Sequence, residues 1–181
     1  MPISGSYAIP FGNGFATRVG WLITSGQPLV FLTAENEHND AMVRQLIRIG
    51  SNRLHGFLDG GVEGWKSAGL PVEASQRMDL DSLHAQLTQP AASIIIDVRQ
   101  RSEYVAGHIP RALNIDLGEL QERLDGLPRE LPIVTVCAAG MRATIAGSIL
   151  HQDGRENVKV VDEIGTLAWI EKGFPSLTGE I

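Results

Sequence analysis

Residues 137 to 142 read Cys-Ala-Ala-Gly-Met-Arg, and the two ends of that segment are the pair in this chain best suited to act together chemically. Cys137 is the only cysteine, so it has no internal disulfide partner and its thiol is free to serve as a nucleophile. Before it runs Ile133-Val-Thr-Val136, with the composition of a strand buried on both faces; after it, Arg142 to Leu150 carries Ile145, Ile149 and Leu150 near helical spacing. A thiol on such a strand-to-helix turn faces the unpaired N–H groups of the turn and of the first helical turn, which stabilise negative charge on sulfur. Gly140 lets the loop bend tightly. Arg142 adds a fixed cation that can hold an anionic substrate, stabilise an anionic sulfur, or form a structural salt bridge. The same loop also fits a buried, inert cysteine at the end of a core strand, so its surroundings must decide.

The elements that position the loop belong to an ordinary globular chain. With 181 residues, 43% hydrophobic and 20% charged, it can bury one full core or one and a half small ones. A net charge of −6 and a pI near 5.3 argue against nucleic acid as a partner, since a phosphate backbone needs a basic face. No apolar run approaches the ~18 residues that span a membrane, and the start lacks a basic segment followed by an apolar one, so a cytoplasmic location is expected. Five scattered histidines and a single cysteine, with no Cys-x-x-Cys or His-x-x-x-His, lead to the expectation of no metal and no cofactor.

An internal repeat organises the chain. Residues 28 to 72 align with 132 to 176 at one constant offset without a gap: Pro28 falls on Pro132, Gly50 on Gly154, Gly61 on Gly165, Trp65 on Trp169, Gly69 on Gly173 and Pro71 on Pro175. Each segment reads as buried strand, loop, helix ending in Gly, second strand, acidic-glycine turn, short helix with a Trp, then Gly-x-Pro. Two α/β domains of one kind follow, residues 1–74 and 78–181, with the polar stretch 73–77 as linker. The second copy opens with a helix over 80–89 capped by Asp79 or Asp81, and has an amphipathic stretch with Leu117, Leu120, Leu124 and Leu127 on one core-facing side. Residues 93–99 form its first strand, and nothing equivalent precedes the first copy. A sheet lacking a central strand exposes an unpaired edge, so the chain is expected to be the tail of a longer protein.

Several motifs now stand in order: Asp97-Val-Arg99, Glu103-Tyr104, Gly107-His-Ile-Pro110 before Ala112, the Cys137 to Arg142 loop, and Ala168-Trp169 with Gly173-Phe-Pro175. In these the second copy resembles a rhodanese domain. The order of the copies, the segment Gly14-Phe-Ala-Thr-Arg-Val-Gly-Trp21 and the short start resemble the tandem that follows a metallo-β-lactamase domain in sulfur dioxygenase fusions. The resemblance implies an α/β fold of tandem rhodanese-like domains, each a parallel sheet flanked by helices, the first truncated at its N-terminus. It implies a sulfurtransferase in which Cys137 takes a sulfane sulfur from thiosulfate or a low-molecular-weight persulfide, and passes it to a thiol or cyanide. Arg142 is then the electrostatic partner, and Ala138, Ala139, Gly140 and Met141 form the persulfide-binding loop. Partners implied are the small-molecule donor and acceptor and a sulfur dioxygenase domain or protein of the metallo-β-lactamase type, without nucleic acid or membrane.

The other motif residues read as structural. Asp97 and Arg99 are expected to pair with neighbours such as Glu103. His108 is expected to be a hydrogen-bonding turn residue, because transfer by a preformed thiolate needs no general base. Trp65 and Trp169 are expected as core anchors. In the first copy Thr33 stands where the second has Cys137; threonine cannot carry a persulfide, and Glu35 and Glu37 would repel an anionic donor, so this copy is expected to be inactive. Residues 13–18 and 35–40 are then surface segments. Where the first copy turns through Asp59-Gly60-Gly61, the second has Glu163-Ile164-Gly165, and an isoleucine is costly there if that turn needs positive φ. A phosphatase of the dual-specificity kind would need Cys-x5-Arg to wrap three phosphate oxygens; Cys-x4-Arg suits a single sulfur. The rival from another class is a non-catalytic binding module in which Cys137 is merely retained.

Overall fold

In a computed structural model, which describes residues 3, 5–24, 26–33, 38–72, 75–89, 93–161 and 165–179, the chain divides into two units, Met1–Ala74 and Ser75–Ile181. The first contains α1 (Phe15–Leu22), β1 (Leu29–Phe31), α2 (Asn39–Arg48), β2 (Leu54–Phe57) and α3 (Gly61–Ser67). Its two described strands pair in parallel, with Leu29 opposite Leu54 and Phe31 opposite Phe57. Phe15, Val19, Met42 and Leu46 recur at four-residue spacing on α1 and α2, and those faces make the core. Residues 13–18, expected on the surface, therefore include a core residue: Phe15 is buried, and Arg18 stays outside, donating from Nη1 to the Asn13 carbonyl at 2.9 Å. Glu35 and Glu37 lie outside the described residues, and Asn39 and Asp40 already belong to α2.

The second unit contains β3 (Gln76–Arg77), α4 (Leu80–Leu87), β4 (Ile94–Asp97), α5 (Arg101–Ala106), β5 (Ala112–Asn114), α6 (Leu120–Arg123), β6 (Ile133–Val136), α7 (Met141–Gln152), β7 (Val158–Val160) and α8 (Thr166–Glu171). Its five strands form one parallel sheet in the order β3-β7-β6-β4-β5. The central strands carry the most apolar sequence: every residue of β6 is buried, as are Ile95, Ile96 and Asp97 of β4. Helix α7 buries seven residues from Ala143 to Leu150 and lies close against β7, since a Cβ on Gly147 would stand 2.7 Å from Val160 Cγ2. Asp79 caps α4, accepting the Ser82 N–H at 2.7 Å, and this settles which of the two expected aspartates does so. Among the described residues no helix is long and apolar enough to cross a membrane.

Two expectations are corrected here. Gln76 and Arg77, read as linker, pair with Lys159 and Val160 as the edge strand of the sheet; two polar residues suffice at an edge because only backbone groups pair there. The stretch from Leu117 to Leu127 is not one helix but the single turn α6 followed by a 3₁₀ turn over Leu124–Gly126. Leu117, Leu120 and Leu127 are buried as the spacing requires, but the tightened turn leaves Leu124 partly exposed.

The two halves of the sequence repeat adopt matched local geometry. Leu29 pairs with Leu54 as Ile133 pairs with Val158. Gly50 and Gly154 both end a helix at positive φ, 83° and 79°. The Trp65 indole donates to the Pro71 carbonyl at 2.9 Å, and the Trp169 indole to the Pro175 carbonyl at 2.8 Å. The burial of the two indoles differs. Trp169 is fully buried among Leu80, Leu83, Tyr104 and Val134, with edge-on contacts to His84 and Phe174, whereas Trp65, expected as a core anchor, is only half-buried. Replacing Trp169 by Ala is therefore expected to destabilise the second unit by about 3–5 kcal/mol, and Trp65→Ala to cost only on the order of 1 kcal/mol. Urea unfolding of the two variants against the wild type measures the difference; equal losses would contradict the burial.

Candidate functional site

Cys137 follows β6 directly, at the carboxyl end of the sheet's middle strand. The parallel register sets Asp97, the last residue of β4, beside Val136, and the Val98 N–H donates to the Val136 carbonyl at 3.0 Å. The Asp97-Val-Arg99 motif and the cysteine loop thus leave neighbouring central strands at the same edge, where open parallel sheets place their ligand sites. The chain turns through Gly140 at φ 89°, a conformation that strains any side-chain-bearing residue, and enters α7. This turn brings the Gly140 N–H within 3.1 Å of Cys137 Sγ, to which it donates. The cysteine is about 1% exposed, while Ala139 and Met141 on the same loop are exposed.

A second wall of the loop comes from α8. The Thr166 N–H donates to the Cys137 carbonyl at 2.8 Å, and Gly165 packs so closely that a Cβ there would collide with the Cys137 carbonyl oxygen and the Ala138 backbone. The first unit carries the same approach, since a Cβ on Gly61 would stand 2.8 Å from the Thr33 carbonyl oxygen. Glu163 and Ile164, whose turn geometry was in question, lie outside the described residues.

Arg142 points to α5. Its Nη1 and Nη2 donate to Glu103 Oε2 and Oε1 at 2.6 and 2.8 Å, a two-pronged pair whose side chains are 25% and 34% exposed. Glu103 also closes a capping box at the start of α5, accepting the Gln100 N–H at 3.2 Å. The hydrogen bonds from Arg142 hold the Glu103 carboxyl below its ordinary range, against the opposing effect of burial. The same hydrogen bonds bias Arg142 further toward its charged form, with smaller contributions from the charges of Glu103 and Cys137.

Asp97 and Arg99 make a different tie from the expected one. They pair with each other, Arg99 Nη2 donating to Asp97 Oδ2 at 2.7 Å and Nε to both carboxylate oxygens, while Nη2 also reaches the Gly107 carbonyl at 2.7 Å. Both are buried, so a partner inside the motif satisfies the charges where a reach to Glu103 would not. Glu103 is thereby left to Arg142. His108, expected as a hydrogen-bonding turn residue, is fully buried. Its Nδ1 donates to the Tyr104 carbonyl at 2.9 Å, its ring stacks on Tyr104 at 3.7 Å, and its backbone pairs with Leu177. None of these contacts involves the cysteine loop.

Sequence reasoning missed two residues of the site. Thr166 was not singled out, although the match of Gly61 with Gly165 marked the segment that precedes it. Asn114, whose Nδ2 donates to the Asp97 and Arg99 carbonyls at 3.0 and 2.9 Å, carries no local signal, because its partners are reached only across the β4–β5 pairing.

Comparison with known proteins places this geometry in context. Residues 79–172 match the family described as Rhodanese-like domain. A sulfurtransferase of Allochromatium vinosum is 28% identical over 103 residues, which are 57% of this chain and 95% of that protein. An HTH-type transcriptional regulator of Mycobacterium tuberculosis is 37% identical over 109 residues, 59% of this chain but 46% of the regulator, so the match spans less than half of that protein. The crystal structure of a rhodanese-related protein from Thermoplasma volcanium superposes with a TM-score of 0.50 at 32% identity, covering 56% of this chain and 97% of that one.

The Glu103–Arg142 pair has a measurable pH signature. A carboxylate held below its ordinary value of 4.5 contributes stability that is present above that value and is lost as the pH falls through its lowered folded-state value. The stability difference between wild type and Glu103→Gln should be fully expressed at neutral pH and vanish in acid below the usual carboxylate range. Denaturant unfolding across that pH span tests it; a difference independent of pH would mean that the ion pair does not contribute.

Proposed function

The chain belongs to the rhodanese-like domain family, and on that premise we propose that its second unit is a sulfurtransferase working through a persulfide on Cys137. The observation that carries the reading is the cysteine at the head of a Cys-x4-Arg loop, with a backbone N–H already directed at its sulfur from 3.1 Å. The Cys137 thiolate attacks the outer sulfur of thiosulfate or of a low-molecular-weight persulfide. A Sγ–S bond forms, the donor's S–S bond breaks, and the electron pair leaves with sulfite or with the thiolate of the donor. A thiol or cyanide acceptor then attacks the outer sulfur, the Sγ–S bond breaks, and the Cys137 thiolate returns without any net oxidant. The Gly140 N–H stabilises the anionic sulfur as an oxyanion hole stabilises developing charge, the remaining amides of Ala138, Ala139, Met141 and Arg142 framing the loop.

The first unit is, on this reading, a degenerate copy of the same domain. The matched strand register, the paired indole–carbonyl bonds and the glycine packed on the Thr33 carbonyl support common descent, and the threonine itself supports a copy without sulfur chemistry. The partner in this scheme is a sulfur dioxygenase domain or protein of the metallo-β-lactamase type, in the cytoplasm.

Incubating the protein with thiosulfate or glutathione persulfide, followed by intact mass measurement, should add the mass of one sulfur atom to the wild type and nothing to Cys137→Ala. Failure of every donor to load Cys137, together with slow alkylation of the native thiol, would leave a binding module as the better reading.

A further inference from the structure

The charge of the cysteine loop is set outside the loop. Ala138, Ala139, Gly140 and Met141 are uncharged, so Arg142 is the loop's cation, and both of its terminal nitrogens are engaged by Glu103. Arg99 of the Asp97-Val-Arg99 motif is committed to Asp97 and to the Gly107 carbonyl. An anion arriving at Cys137 therefore meets backbone N–H groups and a guanidinium already neutralised by a carboxylate. Both members of the pair are partly buried, 25% and 34% exposed, so solvent screens them less than a fully exposed pair.

We propose that Glu103 is a specificity-determining residue, which by neutralising Arg142 turns the site away from dianionic thiosulfate and toward the persulfide of a small thiol. The assignment rests on the sulfur-transfer reading and deepens it. Glu103 acts through Arg142 and touches no reacting atom, so it is a positioning residue. The step it governs is loading: the Sγ–S bond forms, the donor's S–S bond breaks, and the electron pair departs with sulfite from thiosulfate or with the thiolate from a persulfide. Departure of sulfite develops charge beside a carboxylate, whereas departure of a thiolate from a persulfide brings less charge into the same place.

Glu103→Gln keeps an oxygen that can accept the Gln100 N–H and removes the negative charge. In that variant the ratio of kcat/KM for loading from thiosulfate to that from 2-mercaptoethanol persulfide should rise about tenfold over wild type. The ratio of alkylation rates by iodoacetate and iodoacetamide, which differ in charge alone, should rise with it. If both loading rates fall together, or the ratio holds within about twofold, Glu103 is an anchor only and the assignment is overturned with the sulfur-transfer reading intact. Absence of loading from either donor in the wild type would overturn that reading and this assignment with it. Should the variant fail to fold, wild-type loading by thiosulfate decides: with Arg142 neutralised it should not slow as salt rises from about 10 to about 300 mM, and severalfold slowing would reveal an unneutralised cation and overturn the proposal.

Discussion

The backbone around Cys137 is held from two sides, and the rest of the second unit is arranged so that both can be present at once. From one side the Thr166 N–H meets the Cys137 carbonyl, over a glycine that can have no side chain. From the other, Gly140 at positive φ turns the chain so that its own N–H reaches the sulfur. Both depend on β6 ending where it does, and β6 is held in register by β4 and β7 on either edge. A shift of one residue would carry Thr135 and Val136 to opposite faces of the sheet and remove the cysteine from the turn.

Around that fixed turn, charged groups are satisfied in separate pairs. Asp97 and Arg99 form a buried pair that ties the end of β4 to Gly107. Glu103 and Arg142 form a partly exposed pair that ties the start of α5 to the start of α7. The first is structural by its burial, since leaving one buried partner alone costs about 3–5 kcal/mol. The second is partly open to solvent, its side chains 25% and 34% exposed.

The first unit serves as an internal control. It repeats the strand register, the indole–carbonyl bond and the close glycine, with a threonine at the cysteine's position. A glycine packed on the backbone of the residue at this position accordingly recurs in both units, whether that residue is Thr33 or Cys137. What distinguishes the second unit in sequence is Cys137, Gly140 and Arg142, where the first has Thr33, Asn36 and His38. The half-buried Trp65 beside the fully buried Trp169 makes the same point for stability, because a conserved local bond can persist where the surrounding core is thinner.

The sequence alone was enough to identify the strand Ile133–Val136, the helix after it and the aligned segments, and to narrow the cap of α4 to two aspartates, because each of these rests on local propensity, spacing or a direct comparison of one segment with another. It also singled out Cys137 as the candidate nucleophile, since a lone cysteine between a buried strand and a helix is a local pattern. Tertiary structure decided the pairing of charges. In sequence Glu103 stands two residues from Arg101 and four from Arg99, yet burial gives Arg99 to Asp97, and only the tertiary fold brings Arg142 across to Glu103. It decided likewise that Gln76 and Arg77 form an edge strand, that the leucine stretch from 117 breaks after one turn, and that Thr166 meets the Cys137 carbonyl. The edge strand, the Glu103–Arg142 pair and the Thr166 bond are contacts between segments distant in sequence, and periodicity within a segment carries no information about its partner.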